Sequence, residues 1–357
     1  MDAAGQQGGS DAGQDGNFLI NGHNCFRKGI RQSMLANRNI VLARTKARSA
    51  RQHFERNRMP HSTVAFLGIG LMGHPMAARL AGAGIYPRVW NRTLAKAEAL
   101  AGTGAIPCAS VEEAVNGAAI VISMLEAGPA VAATIEAALP AMAPGTLWID
   151  MSSTRHDEAL AFHARLAGQG MRFMDAPVSG GVGGAEAGTL AIMAGGSLHD
   201  FNEAASVFAP MGSAQLVGPH GSGQVAKLCN QLIVGATINV VAEALLLAQA
   251  AGADPGAVRE AIRGGFAGSR ILEVHGQRML DRNFIPGGQV KSQLKDLRNV
   301  LAAAGEAGLV LPLTSAAARS YESIEGELPH ADHAAALLAL ERINPGQRVG
   351  SGPDRLP

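Results

Sequence analysis

The sequence predicts an α/β protein in which a doubly wound, mostly parallel sheet is followed by an all-α region. Short apolar runs alternate with alanine-rich helical patterns from about residue 64 to residue 196, and this alternation builds parallel sheets. Strand-like patterns nearly cease after residue 222. The 357 residues include 45 glycines but only 2 tryptophans and 2 tyrosines, so we expect many tight turns and aliphatic cores.

The first βαβ unit is the segment "STVAFLGIGLMGHPMAARLAGAGIYPRVWNRT", which follows Met59 and Pro60. An apolar run, a glycine turn, a helical pattern and a second apolar run succeed one another in it. Further strand-like runs lie at residues 118–125, 146–153, 172–179 and 188–196.

Helical patterns take over in the second half of the chain, at residues 223–251, 255–264, 269–280, 289–307, 313–325 and 331–342. The apolar run 232–252 is long enough to span a membrane, but Asn239 and Glu243 interrupt it. We therefore interpret it as a helix buried between domains or subunits. The predicted domains are 61–222 for the sheet and 223–345 for the helices, with a flexible Pro/Gly-rich tail at 346–357.

Charge separates residues 1–60 from the rest of the chain. They carry ten Lys/Arg and a net charge of +6, while the whole chain has +1. Their Gly/Gln/Asp-rich start has no signal-peptide core, so they are predicted to form a disordered basic extension. The folded body is then slightly acidic, and neither a nucleic-acid nor a membrane partner is expected for it. Three cysteines without metal-ligand spacing predict reduced thiols, no metal and a cytoplasmic location.

A glycine loop joins the first strand to the first helix. The segment "GIGLMG" fits G-x-G-x-x-G, and its place between a strand and a helix makes the motif specific for a dinucleotide. Gly68 permits the tight turn, Gly70 lets the backbone approach a pyrophosphate, and Gly73 allows close helix packing. The sequence thus predicts a Rossmann-type, NAD(P)-binding domain. The predicted loop contacts are Gly68, Ile69, Gly70, Leu71, Met72 and Gly73.

The residues after the second strand bear on the choice of cofactor. An NAD-specific site presents an acidic residue there to the ribose 2′-hydroxyl, but this chain has Asn91, Arg92 and Thr93. The Arg92 guanidinium could hold a 2′-phosphate. We therefore expect NADP(H) to be preferred, with NAD(H) possible.

Four motifs in order make the chain resemble the β-hydroxyacid dehydrogenase family. They are the glycine loop, "DAPVSGGVGGAEAGTL" (175–190), "GSGQVAKLCNQ" (221–231) and "KDL" (295–297). The family contains 3-hydroxyisobutyrate dehydrogenase, tartronate semialdehyde reductase, glyoxylate/succinic semialdehyde reductase and, more distantly, 6-phosphogluconate dehydrogenase. The resemblance covers residues 62–342 and implies an NAD(P)-dependent enzyme that interconverts a small 3-hydroxy acid and its aldehyde or keto acid.

The resemblance implies that Lys227 is the general acid/base, because it occupies the lysine position of the G-x-G-Q/N-x-x-K motif. Desolvation in an apolar cleft would lower its pKa and let it exchange a proton with the substrate oxygen. Asn230 and Gln231 follow within one helical turn. Asn230 is assigned to catalysis with Lys227, and Gln231 to the substrate.

The remaining site residues are also implied by the resemblance. Ser179, Gly180 and Gly181 would hold a substrate carboxylate with a hydroxyl and backbone N–H groups. Leu125, Ser153 and Lys295 match positions that line the cofactor near its nicotinamide end.

One segment departs from the family pattern. Gly287, Gly288 and Gln289 stand where family members often have an aromatic or apolar approach to the helix, a place that shapes the substrate pocket. The substrate's identity is therefore left open.

Two other functions remain open from the sequence. One is a catalytically silent dinucleotide-binding scaffold with a basic N-terminal arm, and the other is an imine reductase. Lys227 disfavours both, and the intact Ser179–Gly181 segment disfavours the second. The apolar helix near residue 223 predicts a homodimer or homotetramer.

Overall fold

A computed structural model describes residues 63–357 of the chain, which form one compact unit. The predicted extension, residues 1–60, lies outside these described residues. The strands of the unit are β1 (Val64–Leu67), β2 (Arg88–Trp90), β3 (Ile106–Pro107), β4 (Ile120–Ser123), β5 (Leu147–Asp150), β6 (Arg172–Asp175), β7 (Val178–Ser179), β8 (Leu190–Gly195) and β9 (Gly212–Gly218).

The strands form one nine-stranded sheet in the order β3-β2-β1-β4-β5-β6-β8-β7, with β9 paired to β8. Pairing is parallel from β3 through β6 and between β8 and β9. It is antiparallel where β8 meets β6 and β7. The predicted doubly wound, mostly parallel sheet is confirmed. Strands β3 and β9 are not predicted from the sequence, because β3 has two residues and β9 alternates half-buried and exposed positions without a continuous apolar run.

Helices cover both faces of this sheet. They are α1 (Gly73–Gly82), α2 (Leu94–Glu98), α3 (Val111–Val115), α4 (Gly128–Ala138), α5 (His156–Ala167), α6 (Gly181–Ala187) and α7 (Leu198–Phe208). All residues of β1, β4 and β5 are buried, as expected for central strands of a parallel sheet with helices on each side. The sheet edge at the carboxyl ends of β1, β4, β5 and β6 is where such folds bind ligands.

The helical half contains α8 (Ser222–Ala250), α9 (Pro255–Arg263), α10 (Arg270–Leu280), α11 (Val290–Glu306), α12 (Pro312–Glu325) and α13 (Ala336–Arg342). These bounds agree with the predicted helices to within two residues, except that a short 3₁₀ turn, His333–Ala335, precedes α13. The predicted division into two domains near residue 222 coincides with the start of α8. It stays a prediction, because the described residues 63–357 pack as one unit.

Helix α8 is the central helix of this half. With 29 residues and a mean hydropathy of 1.8 in its most apolar window, it could cross a membrane by length and composition alone. Its buried side, which includes Ile238, Val241 and Leu245, packs into the core formed with α10, α11, α12 and α13. This packing agrees with a buried helix, while its burial between domains or subunits stays a prediction.

The chain's last residues differ from the flexible tail that the sequence predicts. The Arg282 side chain is 1% exposed, and its guanidinium bonds to both carboxylate oxygens of Glu341 and to Asp354 at 2.7 Å. The backbone of Arg355 exchanges hydrogen bonds with Arg282 and Phe284. The correction has an electrostatic reason. A buried guanidinium requires acceptors, and the tail supplies Asp354 and the carbonyl of Val349.

Replacing Arg282 with methionine should lower the free energy of unfolding by about 3 kcal/mol, because Glu341 then remains buried without its counter-charge. Urea unfolding measures the change. The matched control is Arg348→Met, which removes a partly exposed partner of Asp354 and should cost under about 1 kcal/mol. Equal small losses in the two variants would contradict the view that Arg282 anchors the tail.

Candidate active site

The glycine loop has the geometry of a dinucleotide-binding turn. Gly68 has φ +106°, and a Cβ on it would lie 2.2 Å from the carbonyl oxygen of Met124. A Cβ on Gly73 would lie 1.9 Å from the carbonyl oxygen of Gly68, so α1 packs directly against the turn. A Cβ on Gly70 would meet nothing within 4 Å, which leaves the backbone open to an approaching pyrophosphate. The residues present therefore fit a bound dinucleotide.

The residues after β2 separate into two groups. Asn91 Oδ1 accepts the N–H of Ile69 at 3.0 Å, and Asn91 Nδ2 donates to the carbonyl oxygen of Thr93. Asn91 thus holds the glycine loop. Arg92 and Thr93 are exposed beside it, and the Arg92 guanidinium has no partner in the described part of the chain. Arg92 is therefore the cation available to a 2′-phosphate.

The loops after β4 and β5 carry the predicted nicotinamide-side residues. The N–H of Leu125 donates to Ser152 Oγ at 2.9 Å. Lys295, on α11, donates from Nζ to the carbonyl oxygen of Ser153 at 3.2 Å. The structure therefore brings Leu125, Ser153 and Lys295 together around the segment 152–154, although they are far apart in the sequence.

A buried carboxyl lies beneath these loops. Asp150 is fully buried, and its Oδ1 accepts hydrogen bonds from Ser123 Oγ at 2.8 Å and from the N–H of Ser152 at 3.2 Å. Its Oδ2 has no partner among the described residues. Burial raises the pKa of Asp150 to about 7, although both serines favour the carboxylate.

Lys227 lies where the resemblance predicts a catalytic lysine. It sits in the second turn of α8 and is 9% exposed. Its Nζ donates to the carbonyl oxygen of Val178 at 2.9 Å and to Gln231 Oε1 at 3.1 Å. The amine therefore lies next to the strand that leads into Ser179.

Desolvation dominates the electrostatics of this amine. Burial lowers the pKa of Lys227, the Asp296 carboxylate acts to raise it, and Lys295 acts to lower it. Asp296 is itself linked to the lysine through Gln231, whose Nε2 donates to Asp296 Oδ2 at 2.5 Å. A buried lysine with a lowered pKa can exist as the neutral amine, which is the form that accepts a proton.

Gln231, and not Asn230, is the amide that contacts the lysine. Asn230 Nδ2 donates to Gln231 Oε1 at 2.8 Å and reaches Lys227 only through it. Gln293 completes the group by donating from Nε2 to the carbonyl oxygen of Gln231 at 3.1 Å. The geometry therefore gives Gln231 the orienting position and leaves Asn230 half-buried beside it.

Asp175 fixes the start of the helix that carries Lys227. It is fully buried, with Oδ1 accepting the N–H of Gly221 at 2.7 Å and Oδ2 accepting the N–H of Gln224 at 2.8 Å. Gly221 has φ +86°, and a Cβ on Gly223 would lie 2.6 Å from the carbonyl oxygen of Asp175. The two glycines of the lysine motif therefore let Asp175 cap α8 directly.

The predicted carboxylate-binding segment forms a turn beside Val178. Ser179 is half-buried and ends β7, whereas Gly180 and Gly181 are exposed and have φ +140° and +62°. Helix α6 begins at Gly181, and the first N–H groups of a helix have no hydrogen-bond partner within the helix. This places donors next to the carbonyl that holds Lys227.

The segment that departs from the family pattern, residues 287–289, packs against His333 and Asp332. A Cβ on Gly288 would lie 2.6 Å from Cε1 of His333, so the His333 ring occupies the space that a side chain at 288 would need. Asp332 Oδ2 accepts the N–H groups of Gly287 and Gly288 at 2.8 and 3.3 Å. Burial lowers the pKa of His333 to about 4, so this ring is neutral at neutral pH. The backbone of Gln289, before α11, pairs with Asp332.

The site residues predicted from the sequence do not include Asp175, Gln224, Asp150 and Asp296. Three of these residues lie inside motifs that the sequence shows. Asp175 opens "DAPVSGG", Gln224 belongs to the lysine motif, and Asp296 belongs to "KDL". Asp150 ends a buried strand and carried no comparable signal.

A Rossmann-type sheet with an open glycine loop, facing a buried lysine on a long helix, defines a dinucleotide-dependent oxidoreductase. Two family models match the chain. Residues 63–226 match the NAD-binding domain of 6-phosphogluconate dehydrogenase, and residues 221–340 match the NAD-binding domain of NADP-dependent 3-hydroxyisobutyrate dehydrogenase. The chain belongs to the β-hydroxyacid dehydrogenase family. Its cofactor is a nicotinamide dinucleotide.

Individual relatives match over nearly their whole length. The chain is 38% identical to a 2-hydroxy-3-oxopropionate reductase of Escherichia coli, over 78% of this chain and 97% of the relative. It is 34% identical to an NAD-dependent L-serine dehydrogenase of Pseudomonas aeruginosa, over 72% and 90%. Among solved structures, Mycobacterium tuberculosis 3-hydroxyisobutyrate dehydrogenase with L-serine has a TM-score of 0.72 and 34% identity, over 78% and 99%.

Replacing Lys227 with methionine should change stability in a pH-dependent way. The folded protein binds the Lys227 proton more weakly than the unfolded chain does, so wild-type stability should rise relative to the variant as the pH increases from the lowered folded-state pKa toward the lysine's ordinary pKa of 10.5. The difference in the free energy of unfolding should increase by at most about 1.4 kcal/mol per pH unit.

Urea unfolding of both proteins from pH 7 to pH 10 measures this difference. The matched control is Lys96→Met on the exposed face of α2, which should show no such rise because that ammonium stays in water. A flat difference for Lys227→Met would mean that its amine is not desolvated.

Proposed function

We propose that the protein is an NADP(H)-preferring oxidoreductase that interconverts a small 3-hydroxy acid and its aldehyde or keto acid, with Lys227 as general acid/base. One observation carries the proposal. The Lys227 amine is buried, has a lowered pKa, and lies against the carbonyl oxygen of Val178 beside the Ser179–Gly181 turn. A proton-transfer group and an anion-binding turn are thus adjacent.

The chain's own residues would divide the work as follows. A bound nicotinamide supplies hydride acceptance or donation at the substrate carbon. The neutral Lys227 amine takes the proton of the substrate hydroxyl during oxidation, and its ammonium form returns it during reduction. Gln231 Oε1 and the carbonyl oxygen of Val178 both accept hydrogen bonds from Nζ. These two bonds orient the amine so that it can reach one substrate oxygen.

The substrate class follows from the neighbouring turn. Ser179 Oγ and the N–H groups at Gly180 and Gly181 are donors suited to a carboxylate. Their place next to Val178 favours an anion two bonds from the reacting carbon, as in a 3-hydroxy acid. Relatives named for 2-hydroxy-3-oxopropionate and for L-serine, both small three-carbon acids, support this class.

The two rival functions lack support of this kind. A silent scaffold would have no use for a buried lysine in this position, because burying an amine without a task only destabilises the fold. An imine reductase would not need a carboxylate-binding turn. A homodimer or homotetramer remains part of the proposal, supported by the exposed apolar side chains Ile233, Val240 and Leu247 on α8. A cytoplasmic location is also proposed, on the cysteine pattern of the sequence alone.

A substrate panel with a lysine variant tests this function. Purified protein with NADPH should reduce methylmalonate or tartronate semialdehyde, whose carboxylate lies two bonds from the aldehyde carbon, faster than it reduces glyoxylate or succinic semialdehyde. Lys227→Ala should keep the dissociation constant for NADPH while kcat falls at least about 100-fold, as for a lost general acid/base. Exposed Lys96→Ala is the control. Near-wild-type turnover in Lys227→Ala would remove Lys227 from the mechanism.

Cofactor preference should depend on Arg92. One charge-assisted hydrogen bond to the 2′-phosphate predicts roughly a ten- to hundredfold preference for NADP(H) over NAD(H) in kcat/KM. Arg92→Ala should remove most of that preference and leave NADH kinetics unchanged, because its guanidinium would touch only the phosphate. Wild-type kcat/KM that is equal or better with NADH would refute the assignment of NADP(H) but not the role of Lys227.

A further inference from the structure

Gln224 is a fully buried amide one helical turn before Lys227, and both of its ends are bonded to one loop. Its Oε1 accepts the N–H of Thr154 at 3.1 Å, and its Nε2 donates to the carbonyl oxygen of Ser152 at 2.8 Å. The side chain therefore binds two alternate backbone groups of the segment 152–154, much as a neighbouring strand would.

The segment that Gln224 holds is the one around which the nicotinamide-side residues gather. Ser153 lies between the two bonded residues and receives the Lys295 ammonium on its carbonyl oxygen. Ser152 Oγ receives the N–H of Leu125. Any shift of this segment away from α8 would therefore move the wall of the cofactor crevice.

The backbone of Gln224, from which this side chain extends, is also held in place. The backbone N–H of Gln224 donates to Asp175 Oδ2, so the amide side chain starts from a capped and immobile helix end. Residues three apart on a helix share a face, and Lys227 is three residues further along α8. The Gln224 side chain thus links the helix that carries the lysine amine directly to the segment 152–154.

We propose that Gln224 is a positioning residue that holds the Lys227 helix at a fixed distance from the segment 152–154, and thereby from the reacting end of the cofactor. This inference rests on the function proposed above. Gln224 itself needs no contact with substrate, because it acts through Lys227 on one side and through the backbone of residues 152–154 on the other.

The variant Gln224→Met tests the proposal, because methionine has a similar shape and can make neither hydrogen bond. In the full chain, kcat should fall by about 100-fold, the effect expected for a displacement of about 1 Å between reacting groups, while the dissociation constant for NADPH changes far less than kcat does. The primary deuterium isotope effect on kcat should rise, because transfer becomes the slowest step. Gln277→Met, at an exposed amide on α10, is the matched control.

A purely structural role would give a different result. Loss of folded protein lowers kcat in proportion to the folded fraction and leaves the isotope effect unchanged, and that outcome would overturn the proposal.

Amide hydrogen exchange provides a measurement that needs no turnover. In protein without cofactor, the Thr154 amide should exchange faster in Gln224→Met than in wild type, while amides of β5 keep their rates. Unchanged exchange at Thr154 would overturn the connection even if activity fell. If the wild type reduced none of the semialdehydes, the proposed function would fail, and the exchange rate would still decide whether Gln224 holds the loop.

Discussion

The hydrogen bonds of the Asp175 carboxylate to the start of α8 are the constraint on which the rest of the site depends. Asp175 ends β6, and its two oxygens bind the N–H groups of Gly221 and Gln224. One buried side chain thereby joins the sheet that forms the cofactor crevice to the helix that carries Lys227. Burial raises the pKa of Asp175, and the backbone N–H groups act against this by favouring its ionised form.

The capped helix then places a lysine where water is scarce. Desolvation lowers the pKa of Lys227, and the carboxylate of Asp296 counteracts this through a group formed with Gln231 and Gln293. The helical half thus does more than cover the crevice. Helix α11 contributes two residues to the site. Asp296 accepts a hydrogen bond from Gln231, the partner of Lys227, and Lys295 donates to the loop after β5. Chemistry at this site therefore depends on both halves packing as one unit.

Much of the fold and part of the candidate site are predictable from the sequence, and the physical reason differs from element to element. Long helices such as α8 and α11 are predictable because their apolar spacing extends over many turns. The glycine loop is predictable because its spacing and its context agree. The short edge strand β3 has too few residues to show a pattern, and the anchored tail depends on Arg282 meeting Glu341 and Asp354 across long stretches of sequence. Asp175 and Gln224 both lie within motifs of the sequence, but only the fold shows that Asp175 binds the start of α8 and that the Gln224 side chain binds the segment 152–154.

The most direct test of the account is the pH dependence of kcat/KM for alcohol oxidation in wild type and in Asp296→Asn. In the proposed mechanism oxidation needs the neutral Lys227 amine, so activity should fall at acidic pH with a midpoint set by that lysine. Removing the Asp296 charge disfavours the ammonium form further, and the account predicts that the midpoint moves to lower pH. A midpoint that stays in place in Asp296→Asn, or that persists in the residual activity of Lys227→Ala, would contradict the assignment of Lys227 as the proton-transfer group.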